Sequence, residues 1–423
     1  MRILPILIAV LGAGMVHRVT LPVRASGISL ASGRFWIPRL LAIVVLLEAS
    51  ASCAATSPDD NARAVGTIVW QNNTIRAGIA AGFDGSSVFV IDTARRLHAL
   101  SRGDGSIQWS LALTATAFPQ RVDAASGIVL IAAGSLIAID TQTRSERWRV
   151  NTAEGLGYLP FTLDGTTVYP TVYFGTGDAL ALDLLTGTER WRVNIMPPDS
   201  VVGAAGNVRT LAPAVHNGLV AVPFRYTRAQ NDRGTTGVAV VDAATGRLRW
   251  TRVLPITAPI PTSQIDFSVA MNDSLVIMPS VEGFVYAFSV VDGSLRWTGP
   301  QAQRLGAAGP ITPDSRQVLL SGSTVLVSSG VSVLSALDVN TGAVRWRADV
   351  DNGGINAMEP LSGGLAVTRH YNGALTAVDV ATGRRMWYTQ PLQNSGAVYP
   401  PRTAQDTIIA AGRFDGVIVY RVR

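Results

Sequence analysis

The sequence predicts an all-β protein built from repeated four-stranded sheets, and three observations carry that expectation. Tryptophan recurs: of the nine in the chain, Trp70, Trp109, Trp148, Trp191, Trp250, Trp297, Trp346 and Trp387 follow one another at spacings of 39 to 59 residues. A turn phrase precedes most of them, as in Val241-Asp242-Ala243-Ala244-Thr245-Gly246-Arg247-Leu248-Arg249-Trp250. Between the phrases lie short β-branched runs such as Leu275-Val276-Ile277-Met278 and Val325-Leu326-Val327, bounded by Gly, Asn, Asp or Ser, with no long segment of helical spacing. A period near 40 residues with that pattern points to a β-propeller, whose blades must stack because no blade can bury both faces alone.

Taken in order, residues 1–52 read as a targeting segment. Arg34 and Arg39 precede the apolar run Leu40 to Leu47, and Ala49-Ser50-Ala51-Ser52 then lead to Cys53. A charged start, a short apolar run and small residues before a cut describe a secretory signal. The run is short for a membrane span. An earlier apolar run, Ile3 to Val16, suggests that the natural start lies downstream, near residue 23. Cys53 is the only cysteine, and a polar stretch follows it. That position resembles a bacterial lipoprotein cleavage site with Cys53 as the lipidated residue, although Ser50 stands where the cleavage pattern wants an apolar residue; the alternative is ordinary signal cleavage around Ala51, which leaves Cys53 a free thiol. Residues 53–64 would then be a flexible tether.

Residues 65–423 are expected to form the ring. Thr67-Ile68-Val69-Trp70 is a strand with a tryptophan and no blade before it, whereas the last unit, ending at Val417-Ile418-Val419-Tyr420, has no Trp strand after it. The N-terminal strand is therefore expected to complete the last blade, giving an eight-bladed β-propeller of four-stranded antiparallel blades. Ala-Leu-Asp would end one strand and Thr-Gly supply the turn, with glycine free to take a positive φ. Asp and Thr side chains would bond to the turn backbone. The tryptophan would then pack on the neighbouring blade, its N–H finding a carbonyl. The repeated Asp140, Asp183, Asp242, Asp338 and Asp379 are accordingly read as structural.

One spacing departs from the rest. Fifty-nine residues separate Trp191 from Trp250. A long link, Met196 to Thr210, and a long hairpin, Arg225 to Gly237, account for it. Both fall on the face that carries the blade-to-blade links, and neighbouring insertions on a rigid scaffold are candidates for recognition. Arg225, Tyr226, Arg228 and Arg233 are the candidate partner-binding residues, Arg and Tyr being favoured interface anchors.

The phrase A-x-D-x-x-T-G-x-x-x-W is similar to the tryptophan-docking repeat of the PQQ-type propellers. The resemblance covers residues 65–423, with complete copies ending at Trp191, Trp250, Trp346 and Trp387. It implies fold more firmly than function, because that family joins quinoprotein dehydrogenases with propellers that bind no quinone. Among the latter, the chain resembles the propeller lipoproteins of the outer-membrane β-barrel assembly machine. That resemblance implies a non-catalytic scaffold on the periplasmic face of the outer membrane, with protein partners in the barrel-assembly machinery and no cofactor. Strand addition to exposed sheet edges is a further expectation of it.

The alternatives are a small PQQ-dependent dehydrogenase and a ligand-binding propeller. Family dehydrogenases hold PQQ over a Trp floor beneath a disulfide of adjacent cysteines; this chain has one cysteine and no tryptophan to spare from the phrase. His98, His216 and His370 are far apart and give no metal-binding spacing. His370 is expected to be a solvated turn residue; Asp351-Asn352-Gly353-Gly354 reads equally well as a cation-binding turn or as a plain loop after Trp346. The formal charge of +6 is concentrated at the start: residues 1–52 hold five arginines against Glu48, leaving 30 arginines against 28 acids, a net +2. There is no lysine, hence no Schiff-base or P-loop lysine. Nothing suggests nucleic-acid binding.

Overall fold

The computed structural model describes residues 67–421, except 116, 118, 120, 152–160, 176, 198–207, 227–234, 255–267, 281–282, 300–314, 330–332, 351–353, 371, 390–401, 405–406 and 413–415. The expected targeting segment, Cys53 and the tether lie outside the described residues. Eight antiparallel sheets follow one another along the chain. Blade 1 comprises Ala77–Phe83, Ser87–Asp92, Arg96–Ser101 and Ile107–Ala112, adjacent in that order and here called strands A to D. Blades 2, 3, 5, 6 and 7 repeat the order, their A strands beginning at Arg121, Thr162, Ala270, Ser315 and Ile355. In blade 8, strands Arg402–Ala404, Thr407–Gly412 and Gly416–Arg421 are completed by Thr67–Asn72, with Trp70 opposite Val419.

The A strands of neighbouring blades touch: Ser315–Ser321 lies against Ile355–Leu361, and Ile355–Leu361 against Arg402–Ala404. Ala77–Phe83 in turn meets strands A to C of blade 8, so the first blade packs on the last. The apolar clusters sit between adjacent sheets. Strand period two divides one strand between two neighbours: in blade 5, Val276 and Met278 join the cluster with blade 4, and Leu275 and Ile277 the cluster with blade 6. This is why B and C strands read as continuous apolar runs rather than as alternations.

The repeated phrase is the hinge of this packing. Asp338 Oδ1 accepts from the backbone N–H groups of Asn340 and Thr341 and from the Thr341 hydroxyl, all at 3.0 Å. Its Oδ2 meets Arg345 at 2.6 Å. Asp183 and Asp242 repeat the pattern with Arg190 and Arg249. The turn glycine follows at positive φ, 71° at Gly246, and lies against the indole of the preceding blade. A Cβ there would sit 2.7 Å from Trp191 Cδ2. The same indole donates to Ala243 O at 2.8 Å. Trp70, Trp148, Trp250, Trp297 and Trp346 donate likewise, to Arg102, Leu184, Val290, Val339 and Val380. The alanine of the phrase stands directly across the ladder from the tryptophan of its own blade, as Ala181 does from Trp191 and Ala336 from Trp346. A β-bulge follows at once in seven blades, tightening the twist between C and D.

Two junctions depart from the rule. Trp109 has no glycine opposite; in blade 2 Arg144 takes the left-handed conformation itself, at φ 56°. Trp387 faces blade 8, whose outer strand comes from the other end of the chain. It stacks on Tyr420 at 6.2 Å, and its Nε1 has no partner among the described residues.

Candidate functional site

Blade 4 is the largest sheet described. Its B and C strands, Leu219–Tyr226 and Thr235–Asp242, are each eight residues long and pair along their whole length. The inner strand that meets them is in two pieces. Ala214–His216 pairs with Leu219–Ala221, and Val208–Thr210, from the long link, pairs with Phe224–Tyr226. A further strand, Tyr173–Gly175 of the blade 3 B–C hairpin, pairs with Val208 and Arg209. The order is thus Tyr173–Gly175, Val208–Thr210, Leu219–Tyr226, Thr235–Asp242, Leu248–Val253. The seam with blade 3 is closed by buried polar bonds. Thr210 Oγ1 accepts from Val172 N at 2.7 Å, and Thr210 N donates to Val172 O at 3.0 Å. Thr162 Oγ1 donates to Pro213 O at 2.6 Å. The described ends of the two insertions read from the sequence, Val208–Thr210 on one side and Arg225, Tyr226 and Thr235 to Gly237 on the other, therefore pair in one sheet, knitted to blade 3.

Arg225 lies on this sheet, directly opposite Arg209 on one side and Thr236 on the other. It is partly buried, and burial pulls its guanidinium below the ordinary arginine range. Tyr226 is 1% exposed and stacks on Phe224 at 6.2 Å, inside the cluster between blades 3 and 4. Its ring is core, not contact surface: the strand extends one turn of the alternation further than the sequence suggests, and Tyr226 falls on its inward side. Arg228, Arg233 and Cys53 lie outside the described residues, as do Asp351, Asn352 and Gly353. The eight tryptophans from Trp70 to Trp387 all stand on D strands.

The histidines are structural in three different ways. His98 ties three strands of blade 1, with Nδ1 2.7 Å from Ser110 Oγ and Nε2 3.0 Å from Asp92 Oδ2. Spacing along the chain does not announce this Ser–His–Asp chain; the cross-strand pairing of His98 with Ser110 creates it. His216 Nε2 meets Asp273 Oδ1 at 2.8 Å, linking blades 4 and 5, and Asn217 bonds the same oxygen. His370 corrects the expectation of a solvated turn residue. It ends strand Leu365–His370, is 0% exposed, and bonds Thr376 Oγ1 through Nε2 at 3.0 Å. The B strand simply runs further before its hairpin than the Asn372-Gly373 signal suggests. Among the described residues no three His, Cys, Asp or Glu side chains come together as metal ligands.

A family model described as "Outer membrane protein assembly factor BamB" matches residues 60–299 and 283–421. The chain belongs to this family. The BamB of Moranella endobia (strain PCIT) is 25% identical over 164 residues, which cover 35% of this chain and 41% of that protein. The chain thus spans about two-fifths of the length of that curated relative. Among solved structures, BamB from Moraxella catarrhalis superposes with a TM-score of 0.61 at 18% identity, covering 84% of this chain and all of that one. A europium-containing methanol dehydrogenase superposes equally well, TM-score 0.61 at 15% identity, over 84% of this chain and 86% of that one. Likeness at these identities shows the fold alone, and the fold serves both kinds of protein.

The residues present do not fit PQQ held in the family manner. The chain has a single cysteine, so no cysteine pair can form. Trp70, Trp148, Trp191, Trp250, Trp297 and Trp346 are committed to carbonyls of the next blade, and Trp109 and Trp387 are packed into inter-blade clusters. None of the eight is left as a floor for a quinone ring.

Proposed function

We propose that the chain is an envelope scaffold that assists assembly of outer-membrane β-barrel proteins, working by protein–protein contact rather than by catalysis. Membership of the BamB family supports the setting. The observation that carries the docking assignment is the sheet of blade 4, where the described ends of two insertions and a strand of blade 3 pair with one another, Arg209 and Arg225 among the paired residues. A surface built on paired strands is held more rigidly than one on loops, and rigid presentation lowers the ordering cost of binding. Cys53, diacylated, would anchor the ring to the periplasmic face of the outer membrane through residues 53–64.

The test is affinity purification of the tagged, detergent-extracted protein from its own bacterium after mild cross-linking. Co-recovery of the barrel-forming assembly subunit is expected, reduced when Arg225 is replaced. Recovery of the propeller alone, with the cross-linker shown to capture other envelope complexes, would refute the assembly role. Labelling with a fatty-acid analogue, present in the natural chain and lost in Cys53→Ala, tests the anchor.

A further inference from the structure

The D strand stands at the edge of every blade. An edge strand offers its outward N–H and C=O groups to any strand able to pair with it, and charged side chains are a common guard against that. Six of the eight D strands carry arginine, as in Ser145–Val150, Glu189–Asn194 and Val344–Asp349; Thr67–Asn72 and Ile107–Ala112 carry no charge at all. In blade 8 only Trp70, Gln71 and Asn72 stay in register beyond the bulge. In blade 1 the register runs unbroken from Trp109 to Ala112, opposite Ala99 to Arg96, and Leu113 N donates to Arg95 O at 3.0 Å. No charge occurs from Gly105 to Gln120. Because Leu113 turns its N–H inward, the alternation turns Leu111 and Trp109 inward too, and directs the N–H and C=O of Ser110 and Ala112 outward. Among the described residues no strand pairs with that side. Ile107 is 47% exposed, and Gln108, Ser110 and Ala112 are exposed as well. Trp109, Leu111 and Leu113 pack against the cluster between blades 1 and 2 yet are only half-buried. The 2.7 Å bond between Ser110 Oγ and His98 Nδ1 fixes this edge at a residue whose backbone points outward.

We propose that Ile107–Ala112 is a docking edge for the same strand of a second copy of this chain, the two blade 1 sheets joining into one. A two-fold axis sets an edge against itself. An arginine-bearing edge would then bring like charges together, which is unfavourable across a strand pair, whereas this edge has none to bring. With the axis at Leu111, Ser110 lies opposite Ala112 of the second copy, so the outward groups of both can pair. Leu111 then meets Leu111, and Trp109 meets Leu113, covering the sides of these residues that blade 2 leaves exposed. The dimer goes beyond the assembly reading and does not depend on it.

The test is the protein mass of the full chain, extracted in detergent, read by size-exclusion chromatography with light scattering over a dilution series. A dimer that dissociates on dilution is expected. The outward N–H of Ala112 makes no bond within its own sheet, so Ala112→Pro spares the ladder of blade 1 while removing a donor from each side of the dimer. It should weaken association by roughly tenfold or more. Gln108→Arg gives this edge the arginine that precedes the tryptophan in blades 2 to 6, from Arg147 to Arg345, and should weaken association several-fold. Val253 holds the position of Ala112 on the edge of blade 4, where Leu254 N turns inward to Thr236 O, and Val253→Pro should leave the dimer intact. Circular dichroism and tryptophan fluorescence check folding; if Ala112→Pro fails to fold, Gln108→Arg and Ala112→Arg decide. A natural chain that stays monomeric at every concentration overturns the proposal, as does a dimer insensitive to the blade 1 variants or equally sensitive to Val253→Pro. A monomer whose blade 1 edge instead binds an uncharged peptide strand, and loses it in Ala112→Pro, also overturns it and makes the edge an acceptor for other chains.

Discussion

Gly246 and Gly218 offer a controlled experiment on how blades dock. Both belong to blade 4 and both have φ 71°. Replacing either with alanine imposes the left-handed conformation on an L-residue, which costs about 1–2 kcal/mol. The surroundings differ. At Gly218 an added Cβ meets nothing within 4 Å, whereas at Gly246 it would lie 2.7 Å from Trp191 Cδ2 and 2.8 Å from Cε3. The indole cannot retreat without stretching its 2.8 Å bond to Ala243 O, so the methyl overpacks the interface between blades 3 and 4. Overpacking of that kind costs about 1–3 kcal/mol more. Gly246→Ala should therefore lower stability by about 2–5 kcal/mol, strain and overpacking together, and Gly218→Ala by about 1–2 kcal/mol, strain alone. Urea unfolding followed by tryptophan emission gives both values. Equal losses in the two variants would show that the glycine is selected for its backbone alone, and the docking role given to Trp191 would be wrong.

Three other outcomes are expected. Arg144→Gly removes a non-glycine residue from φ 56° at the one phrase that lacks its glycine, and should raise stability by about 0.5–1 kcal/mol in the same urea assay. Thr210→Val deletes the acceptor of the buried Val172 N–H and should cost about 1–3 kcal/mol, with faster hydrogen exchange at Val172 and in Val208–Thr210. Acid should loosen the turns. The Arg345 bond, with Thr341 and backbone donors, holds Asp338 at a pKa of about 2; Asp183 is held there chiefly by Arg190, and Asp292 by Ser294. A carboxyl whose folded pKa lies below its unfolded value stabilises above the unfolded pKa and loses that contribution as pH falls through the folded one. Stability should thus decline between about pH 4 and pH 2, and the decline in thermal midpoint should be shallower in Asp338→Asn.

Much of the ring was legible because the phrase encodes a contact, not merely a strand. Ala181, Asp183, Gly187 and Trp191 each have one job in the structure, and the jobs fix their spacing: facing the indole, clamping the turn, receiving the previous indole, reaching the next blade. The completion of the last blade by Thr67–Asn72 was readable for the same reason, since Trp70 needs a turn to dock on and finds it at Gly105. The candidate site was only half legible. The insertions announced themselves as excess length between Trp191 and Trp250, but length says nothing about pairing. That Val208–Thr210 would become a strand was hidden, because three residues are too few to show an alternation. Tyr226 was misjudged through the same ignorance: whether a residue at the end of a strand faces core or solvent depends on where pairing stops, and here Val208 extends it. His370 failed identically, one hairpin earlier in its blade than solvent begins.

The two junctions that break the docking rule also bear on how function is distributed around the ring. Trp387 meets the blade made from both ends of the chain, and Trp109 meets a turn without glycine, so the weak seams flank blade 1 and blade 8. Blades 3, 4 and 5, by contrast, are joined by two regular indole bonds, by Thr210 and Thr162 on one side, and by His216 and Asn217 on Asp273 on the other. Opening of a closed ring starts at its weakest seam, which places closure strain far from the proposed docking sheet. A partner seated on the blade 4 sheet would therefore meet an arc whose two seams both carry the indole bond and further side-chain bonds among the described residues. Hydrogen exchange should then be slowest in Leu219–Tyr226 and fastest in Thr67–Asn72; the reverse order would separate the docking sheet from the rigid arc and undo that assignment.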